Sequence, residues 1–389
     1  MQQKTKKNLL IVLVIVLPIG LCTIIACSVI LLLGISIFSA PAYGIGYAEP
    51  HIGEIFLYDV RTGITTQVTN NLENDESPQI DGDYVVWEGQ HAENDEVYLY
   101  DIEMDKTIRI SMNNKSDINP QIQGNNVVWQ GNEDGDYEIY LYQIDTLTTM
   151  QVTYNKVEDK NPQINGDYVV WSGVEDGDSE IYLYQINNRT TTKVSNNDAA
   201  DGSAQIDGDI VVWMSSMDGE WNIYVYEISS RTTKIISNHV EENISPLVSG
   251  DYVVWMGGFK VHLYQISTGT TIQLSGNDAH VYYPEISGDY VIWSEKTDGN
   301  TILSLYQIST GLTTIIDNKT KVIEDYYIEG DYIVWTGIEE QNTDIYLYQI
   351  SSEHLVNISC NRNDDRNPQI LGFNIVWEGE NEELQSEED

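Results

Sequence analysis

The sequence is poor in cysteine, in basic residues and in helical patterning. Of three cysteines only Cys360 lies outside the hydrophobic N-terminal segment, so no disulfide can form within the rest of the chain. The fold must therefore depend on its core. Lys and Arg number 19 against 61 Asp and Glu, for a net charge of -42. Such a chain repels nucleic acid and anionic lipid headgroups, and it attracts cations and basic partners.

The aromatic content is also uneven, with 26 Tyr against 4 Phe. Tyr, Val, Ile and Thr suit a pleated, half-buried surface. Because helical signals are scarce after residue 43, we expect an all-β protein.

The N-terminus carries the one long apolar run, which has no charge from Leu9 to Phe38. A bilayer span needs roughly 20 apolar residues, whereas a signal-peptide core has about 7–15. We therefore predict a cytoplasmic basic head at 1–7, a transmembrane signal anchor at 8–39 and a linker at 40–53. Cleavage after Ala40-Pro41-Ala42 and lipidation at Cys27 are the two alternatives. All three place the remaining chain outside the cytoplasm, and the first makes it a single-pass protein of the cell membrane.

Self-similarity dominates the rest of the chain. Tryptophan recurs every 42 residues, with one spacing of 38, at Trp87, Trp129, Trp171, Trp213, Trp255, Trp293, Trp335 and Trp377. Each ends an apolar run such as Tyr84–Trp87. Each unit adds three more short runs, of the kinds Val97–Tyr100, Thr149–Thr153 and Pro78–Ile80. Turns such as Asp81-Gly82 favour tight hairpins. Four short strands per unit of this length are typical of a β-propeller blade.

The two ends of the repeat region complement each other. Residues 55–69 supply two of the four runs, and residues 368–377 supply the other two. Pairing them gives eight four-stranded blades in a closed ring over residues 54–377, which removes two open sheet edges. A seven-bladed ring with one displaced unit is the alternative. The acidic tail at 378–389 is expected to be disordered. We expect the recurrent Trp and Tyr to form the core, with a ring of sugar-binding platforms as the alternative.

These units resemble the TolB-like propeller repeats. The resemblance rests on Pro78-Gln79-Ile80-Asp81-Gly82, Tyr84–Trp87, Val97–Asp101 and Ile108–Ser111, and it covers residues 54–377. It is closer still to the repeats of archaeal cell-surface propeller proteins, with their Gly-Asp-Tyr-Val-Val-Trp strings. The Ser-Pro that precedes Asp-Gly in TolB-like units is missing here. The resemblance implies the fold, but propellers host many unrelated activities.

The long loops of the repeats are mostly acidic and should share one face of the disc. Binding residues usually lie on such loops. Two loops place three carboxylates within five residues, and calcium prefers six to eight such oxygen ligands. The candidate calcium ligands are Asp134, Asp136 and Glu138 in the first loop, and Asp176, Asp178 and Glu180 in the second. A solvated acidic turn is the alternative for both.

The sequence contains few residues in patterns that indicate catalysis. His262 replaces the Tyr of sister repeats beside a shortened loop, and His280 follows on the long-loop side, so these two are the candidate binding residues. We find no phosphate loop, Cys/His metal cluster or Gly-X-Ser-X-Gly elbow. An enzyme is therefore less expected than a binding protein, although a carboxylate pair could be hidden among so many acids.

Three functions remain open on the sequence. The first is a non-catalytic binding or scaffold module for an envelope protein or polysaccharide, touching the membrane only through its N-terminal helix. The second is an extracellular carbohydrate-active enzyme or lyase on a propeller scaffold. The third is a structural unit of a surface layer, held together by calcium.

Overall fold

A computed structural model describes residues 52–132, 135–175, 177–217, 219–237, 242–276, 280–297, 300–317, 320, 322–338 and 342–380. Over these ranges the chain consists of strands and turns, without a helix. Accordingly, no helix in these ranges could cross a membrane. The predicted anchor at 8–39 lies outside them, as do the basic head and the tail beyond Glu380.

The strands fall into eight sheets. The chain opens with β1 (Gly53–Asp59) and β2 (Ile64–Gln67). Blade 1 contains β3 (Asp75–Asp81), β4 (Tyr84–His91), β5 (Asn94–Asp101) and β6 (Lys106–Arg109). Blade 2 contains β7 (Asp117–Gln123), β8 (Asn126–Gly131), β9 (Glu138–Gln143) and β10 (Thr148–Gln151). Blade 3 contains β11 (Asp159–Asn165), β12 (Tyr168–Glu175), β13 (Asp178–Gln185) and β14 (Thr190–Lys193). Blade 4 contains β15 (Ala200–Asp207), β16 (Ile210–Met217), β17 (Glu220–Glu227) and β18 (Thr232–Ile235).

The remaining blades follow the same order. Blade 5 contains β19 (Asn243–Ser249), β20 (Tyr252–Gly257), β21 (Lys260–Gln265) and β22 (Thr270–Gln273). Blade 6 contains β23 (His280–Val281), β24 (Glu285–Ser287), β25 (Tyr290–Thr297), β26 (Asn300–Gln307) and β27 (Leu312–Asp317). Blade 7 contains β28 (Val322–Glu329), β29 (Tyr332–Ile338), β30 (Thr343–Gln349) and β31 (His354–Asn357). Blade 8 starts from β32 (Asp365–Leu371) and β33 (Asn374–Glu380).

Blade 8 closes the ring with both ends of the repeat region. Its strand order is β2-β1-β33-β32, and β1 pairs antiparallel with β33 through partners such as Phe56 and Trp377. The first strand of each blade is the innermost one and contacts the first strands of its neighbours, and β3 contacts β32. The eight-bladed prediction is thus confirmed, and the seven-bladed alternative is wrong.

Hydrogen bonds across the inner ring hold neighbouring blades in register. The residue that ends an inner strand accepts a hydrogen bond from the turn glycine of the next blade. Asp81 Oδ2 accepts from Gly124 N–H at 2.5 Å, and Asp207 Oδ2 accepts from Gly250 N–H at 2.7 Å. The glycine of each turn has a positive φ, +54° at Gly124, which only glycine adopts without strain. The Asp-Gly and Asn-Gly turns therefore form hairpins and also connect the blades.

The core lies between the blades. All eight repeat tryptophans are buried, with at most 2% of their surface exposed. Five stack on an aromatic Tyr of the next strand, as Trp129 does on Tyr140 at 5.7 Å between ring centroids. In blade 8 Phe56 takes the place of that Tyr on Trp377. The prediction that these rings form the core is confirmed.

Candidate functional site

A buried polar network repeats at the long-loop end of most blades. In blade 2, Trp129 Nε1 donates to Asp117 Oδ1 at 2.9 Å, and Asn113 Nδ2 donates to Asp117 Oδ2 at 2.6 Å. Burial raises the pKa of Asp117 to about 7, although these two hydrogen bonds oppose the rise. The same indole-to-side-chain hydrogen bond joins Trp87 to Asp75, Trp171 to Asp159, Trp255 to Asn243 and Trp377 to Asp365. These Asp and Asn side chains therefore accept the hydrogen bonds of buried indole N–H groups in the core.

Two of the calcium candidates belong to the same network. Glu138 is 4% exposed, and its Oε1 accepts the N–H of Asn155 at 2.8 Å. Glu180 is 2% exposed and accepts from Ser195 Oγ at 2.7 Å. Glu54 and Glu96 stand at the equivalent positions in their repeats and are buried too. A residue that recurs in this way serves the blade itself.

The second candidate loop borders a cavity of about 430 Å³, which is lined by Asp178 and Glu180 among others. A lysine already supplies the positive charge there. Lys193 Nζ lies 3.0 Å from Glu180 Oε1 and 2.7 Å from Glu175 Oε2. A cation would have to share these oxygens with Lys193.

The remaining calcium candidates are Asp134, Asp136 and Asp176. In the first loop Asp136 is half-buried. Asp134 and Asp176 lie outside the described residues. Within the described ranges no three His, Cys, Asp or Glu side chains form a group that could hold a metal ion. Calcium binding therefore stays a prediction from the sequence.

The two candidate histidines lie on neighbouring blades and have different surroundings. His262 stacks on Trp255 at 5.4 Å, in the position that Tyr occupies in sister blades, and its Nε2 lies 3.3 Å from the carbonyl oxygen of Gly257. His280 is exposed on β23 and meets the ring of Phe259 edge-on at 5.6 Å. The structure thus places His262 in the blade core and His280 at the surface.

His280 lines a mainly apolar cavity of about 360 Å³ between blades 5 and 6, on the long-loop face. Its other walls include Phe259, Tyr282, Tyr283 and Lys296. Phe259, Tyr282 and Tyr283 are 61%, 45% and 58% exposed. This aromatic pocket exists because the blade 5 loop is shortened to Gly258-Phe259, which leaves the inner strand of blade 6 uncovered.

A second irregular feature lies on the innermost strands, which surround the axis of the propeller. Each inner strand contributes one half-buried residue that pairs with the residue directly before the Trp of the next strand, as Gln79 pairs with Val86, which precedes Trp87. We call these eight residues the channel belt. They are Gln79, Gln121, Gln163, Gln205, Leu247, Glu285, Tyr327 and Gln369. The belt is therefore made largely of amide groups, with a single carboxyl.

Glu285 is that carboxyl. It is half-buried on β24, and desolvation by the surrounding protein raises its pKa to about 8. Tyr327 follows it in the belt, and burial together with the charge of Glu285 raises the pKa of that phenol to about 12. The Tyr327 hydroxyl also interacts with the side chain of Gln369. Near neutral pH the belt therefore holds a protonated acid beside hydrogen-bonding groups.

Reasoning from the sequence alone did not single out Glu285 or Tyr327. The signal was present, because alignment of the repeats puts Gln at this position five times and three other residues in blades 5, 6 and 7. The apolar runs on which the repeat was recognised lie one strand further out.

Solved structures with a similar fold include several peptidases. A puromycin hydrolase matches with a TM-score of 0.55 and 10% identity, over 76% of this chain and 56% of that one. A prolyl endopeptidase structure matches with a TM-score of 0.58 and 11% identity, over 73% and 49%. The β-propeller domain of the Trilobed protease from Pyrococcus furiosus matches with a TM-score of 0.54 and 12% identity, over 75% and 99%.

These similarities show the fold alone. The chain spans about half the length of the first two structures. TolB proteins from Agrobacterium tumefaciens and Acinetobacter baumannii are also among the similar structures, with a TM-score of 0.40 that carries no further argument. The closer resemblance to archaeal cell-surface propellers finds no support. No protein-family model matches the sequence, and no curated protein does.

The comparisons correct the leading functional expectation. A non-catalytic binding or scaffold module for an envelope protein or polysaccharide was expected because the sequence shows no catalytic motif. The three structures described above are instead named as a hydrolase, an endopeptidase and part of a protease.

Proposed function

We propose that this protein acts in the hydrolysis of peptides, with the channel belt as the place where the peptide is held. The observation that carries the proposal is the belt itself, in which one protonated carboxyl stands among five glutamines. The fold similarity to peptidases supports the same substrate class.

The chemistry of the belt suits a peptide backbone. Each glutamine side chain offers two N–H donors and a carbonyl acceptor, which are the groups that pair with the C=O and N–H of a peptide. A ring of such amides can bind an extended chain without selecting its side chains. Leu247 and Tyr327 pack partly on the core between blades, and the part of each that stays exposed can contact a substrate side chain.

In this proposal Glu285 is the group that donates a hydrogen bond to the substrate carbonyl. A carboxyl with a pKa of about 8 is protonated at neutral pH, so it can donate a hydrogen bond to a peptide carbonyl. That donation draws electrons from the carbonyl carbon and favours attack by water. Water then adds to the carbonyl carbon, the C–N bond breaks, and the proton that the water gives up passes to the departing nitrogen, which leaves as an amine.

We also propose that the propeller lies outside the cytoplasm. The uncharged run from Leu9 to Phe38 behind a basic head supports a membrane anchor with the propeller outside the cytoplasm. The strong negative charge suits a soluble surface exposed to the surroundings. Peptides reaching the cell from outside would then meet the channel directly.

The proposal is tested with the full chain purified in detergent and a defined mixture of peptides, read out by mass spectrometry. We expect cleavage by the natural protein at pH 7 and a loss of at least ten-fold in Glu285→Leu, which keeps the apolar part of the belt but has no acid. Glu285→Gln should retain part of the activity, because its amide still donates a hydrogen bond. Glu103→Gln, which removes an exposed carboxylate from a hairpin on the other face, is the matched control.

Two results would contradict the proposal. One is the absence of peptide cleavage and of peptide binding by the natural protein. The other is cleavage that Glu285→Leu and Glu103→Gln leave equally intact, since the channel acid would then have no part in it.

A further inference from the structure

We infer that the aromatic pocket between blades 5 and 6 binds the C-terminal residue of a peptide, with an apolar side chain among its rings and the carboxylate on Lys296. This inference rests on the proposed function and names the part of the substrate that is recognised.

The pocket has the size and lining for a single apolar side chain. Its volume of about 360 Å³ is at the small end of ligand pockets, which run from about 300 to 1,000 Å³. Phe259 and Tyr283 stay more than half exposed, although rings of this size are usually buried. Burying them against a ligand is favourable by about 25 cal/mol per Å² of apolar surface. The pocket therefore gains by accepting an apolar group.

The structure holds the pocket wall in place. The hydroxyl of Tyr326, on blade 7, donates a hydrogen bond to the carbonyl oxygen of Tyr283 and accepts one from Ser294 N–H at 3.1 Å. Tyr282 N–H donates to the carbonyl oxygen of Ser294 at 2.8 Å. Residues 282–284 are thus fixed outside the regular ladder, with both tyrosine rings directed to the surface.

Lys296 supplies the charge that selects a carboxylate. It stands opposite His280 in the pairing of β23 with β25 and is exposed at the edge of the pocket. Other surface lysines such as Lys160 and Lys193 are paired with glutamates, whereas Lys296 forms no ion pair with any residue that the structure describes. In a chain of net charge -42, an ammonium that has no acidic partner among the described residues and lies beside an apolar pocket is suited to bind an anionic group.

The position of the pocket fits a peptide that enters the channel. Tyr283 lies two residues before Glu285, in the segment that joins β23 to β24, so their Cα atoms are separated by at most about 7 Å. A peptide anchored by its last residue in the pocket would bring its final peptide bonds close to Glu285. The aromatic pocket and the channel acid would then act on one substrate, which is cut near its C-terminus.

The test compares two fluorescein-labelled pentapeptides that end in Phe, one with a free carboxylate and one with a C-terminal amide. Binding to the full chain in detergent is followed by fluorescence anisotropy. We expect the free acid to bind about ten-fold more tightly, and Lys296→Met to reduce it to the affinity of the amide. Lys106→Met removes the same charge from an exposed outer strand and is the control. Tyr282→Ser should weaken both peptides, because it removes a ring rather than a charge.

Equal binding of acid and amide by the natural protein would overturn the inference, as would equal effects of Lys296→Met and Lys106→Met. Displacement of the peptides by a neutral oligosaccharide would also overturn it. Hydrolysis of peptides blocked at both ends separates the two proposals. If blocked peptides are cut while acid and amide bind alike, the C-terminal pocket fails and the proposed function stands.

Discussion

The indole Nε1 of Trp129 donates a hydrogen bond of 2.9 Å to Oδ1 of Asp117, an aspartate with no exposed surface. This pair recurs around the ring and links the inner strand of a blade to the second strand. Blade 5 makes the same hydrogen bond to a neutral side chain, because Asn243 Oδ1 accepts from Trp255 Nε1 at 3.0 Å. This hydrogen bond thus requires an acceptor oxygen but no charge, and in blades 4, 6 and 7 the described residues offer no partner to the Nε1 of Trp213, Trp293 and Trp335.

Two substitutions of Asp117 should therefore lower the stability by different amounts. Asp117→Ala leaves the buried Trp129 N–H without a partner and should lower the free energy of unfolding by about 1–3 kcal/mol. Asp117→Asn keeps the acceptor and should cost less than about 1 kcal/mol at pH 8, where the carboxylate itself is unfavourable. Thermal unfolding of both variants at this pH checks the prediction, and equal losses would contradict it.

Stability should fall as pH rises towards neutrality. Burial raises the pKa of Glu88, Asp117 and Asp365 to about 7 and that of Asp159 to about 6. Their unfolded values are about 4, so the folded state binds more protons between about pH 4 and 7. Their stabilisation is present below pH 4 and is lost as pH rises through the folded values. We expect a higher melting temperature at pH 5 than at pH 8.

Acids with a lowered pKa have the opposite effect, because their contribution to stability is lost in strong acid. Hydrogen bonds from Ser267 hold the pKa of Asp251 below its usual value, so that contribution is present at pH 5 and disappears only in stronger acid. The double variant Asp117→Asn, Asp365→Asn should show a smaller difference between pH 5 and pH 8. A melting temperature that stays level or rises over this range in the natural protein would refute the buried-acid explanation.

His262 should tolerate replacement by the residue of its sister blades. The ring stacks on Trp255 as Tyr140 stacks on Trp129, and the centroid distances are 5.4 and 5.7 Å. His262→Tyr should therefore change the melting temperature little and leave peptide binding unaltered. A large loss of binding with a normal melting temperature would show instead that this imidazole belongs to the functional site.

Ring closure should be the point at which the fold opens first when it is weakened. Phe56→Ala removes the ring that stacks on Trp377 where the two ends of the repeat region pair, and Tyr224→Ala removes the equivalent ring from blade 4. Both rings are half-buried, so each deletion should cost less than about 3–5 kcal/mol, the loss expected for a fully buried aromatic ring. Only Phe56→Ala should make β1 and β2 an early target of limited proteolysis. Identical cleavage patterns for the two variants would contradict this.

The sequence predicted the blades well because their core is periodic in sequence. One Trp per repeat and a tight turn after each inner strand fix the strand number, and complementary ends such as Phe56 and Trp377 fix the closure. The candidate site was harder to predict. Glu138 and Glu180 look like cation ligands within their loops, but the structure shows them accepting hydrogen bonds inside the blade. Glu285 becomes distinctive only when eight distant residues are seen to occupy the same position on the innermost strands.

The central claim is that a protonated Glu285 acts on a peptide in the channel, and the pH dependence of peptide cleavage tests it most directly. The rate should be measured from pH 6 to 10 for the natural full chain and for Glu285→Gln. Since the carboxyl loses its proton near pH 8, we predict that the natural protein loses activity above that pH, while the glutamine variant is slower and shows no such decline. The same decline above pH 8 in both proteins would contradict the account, because the titrating group would then lie elsewhere.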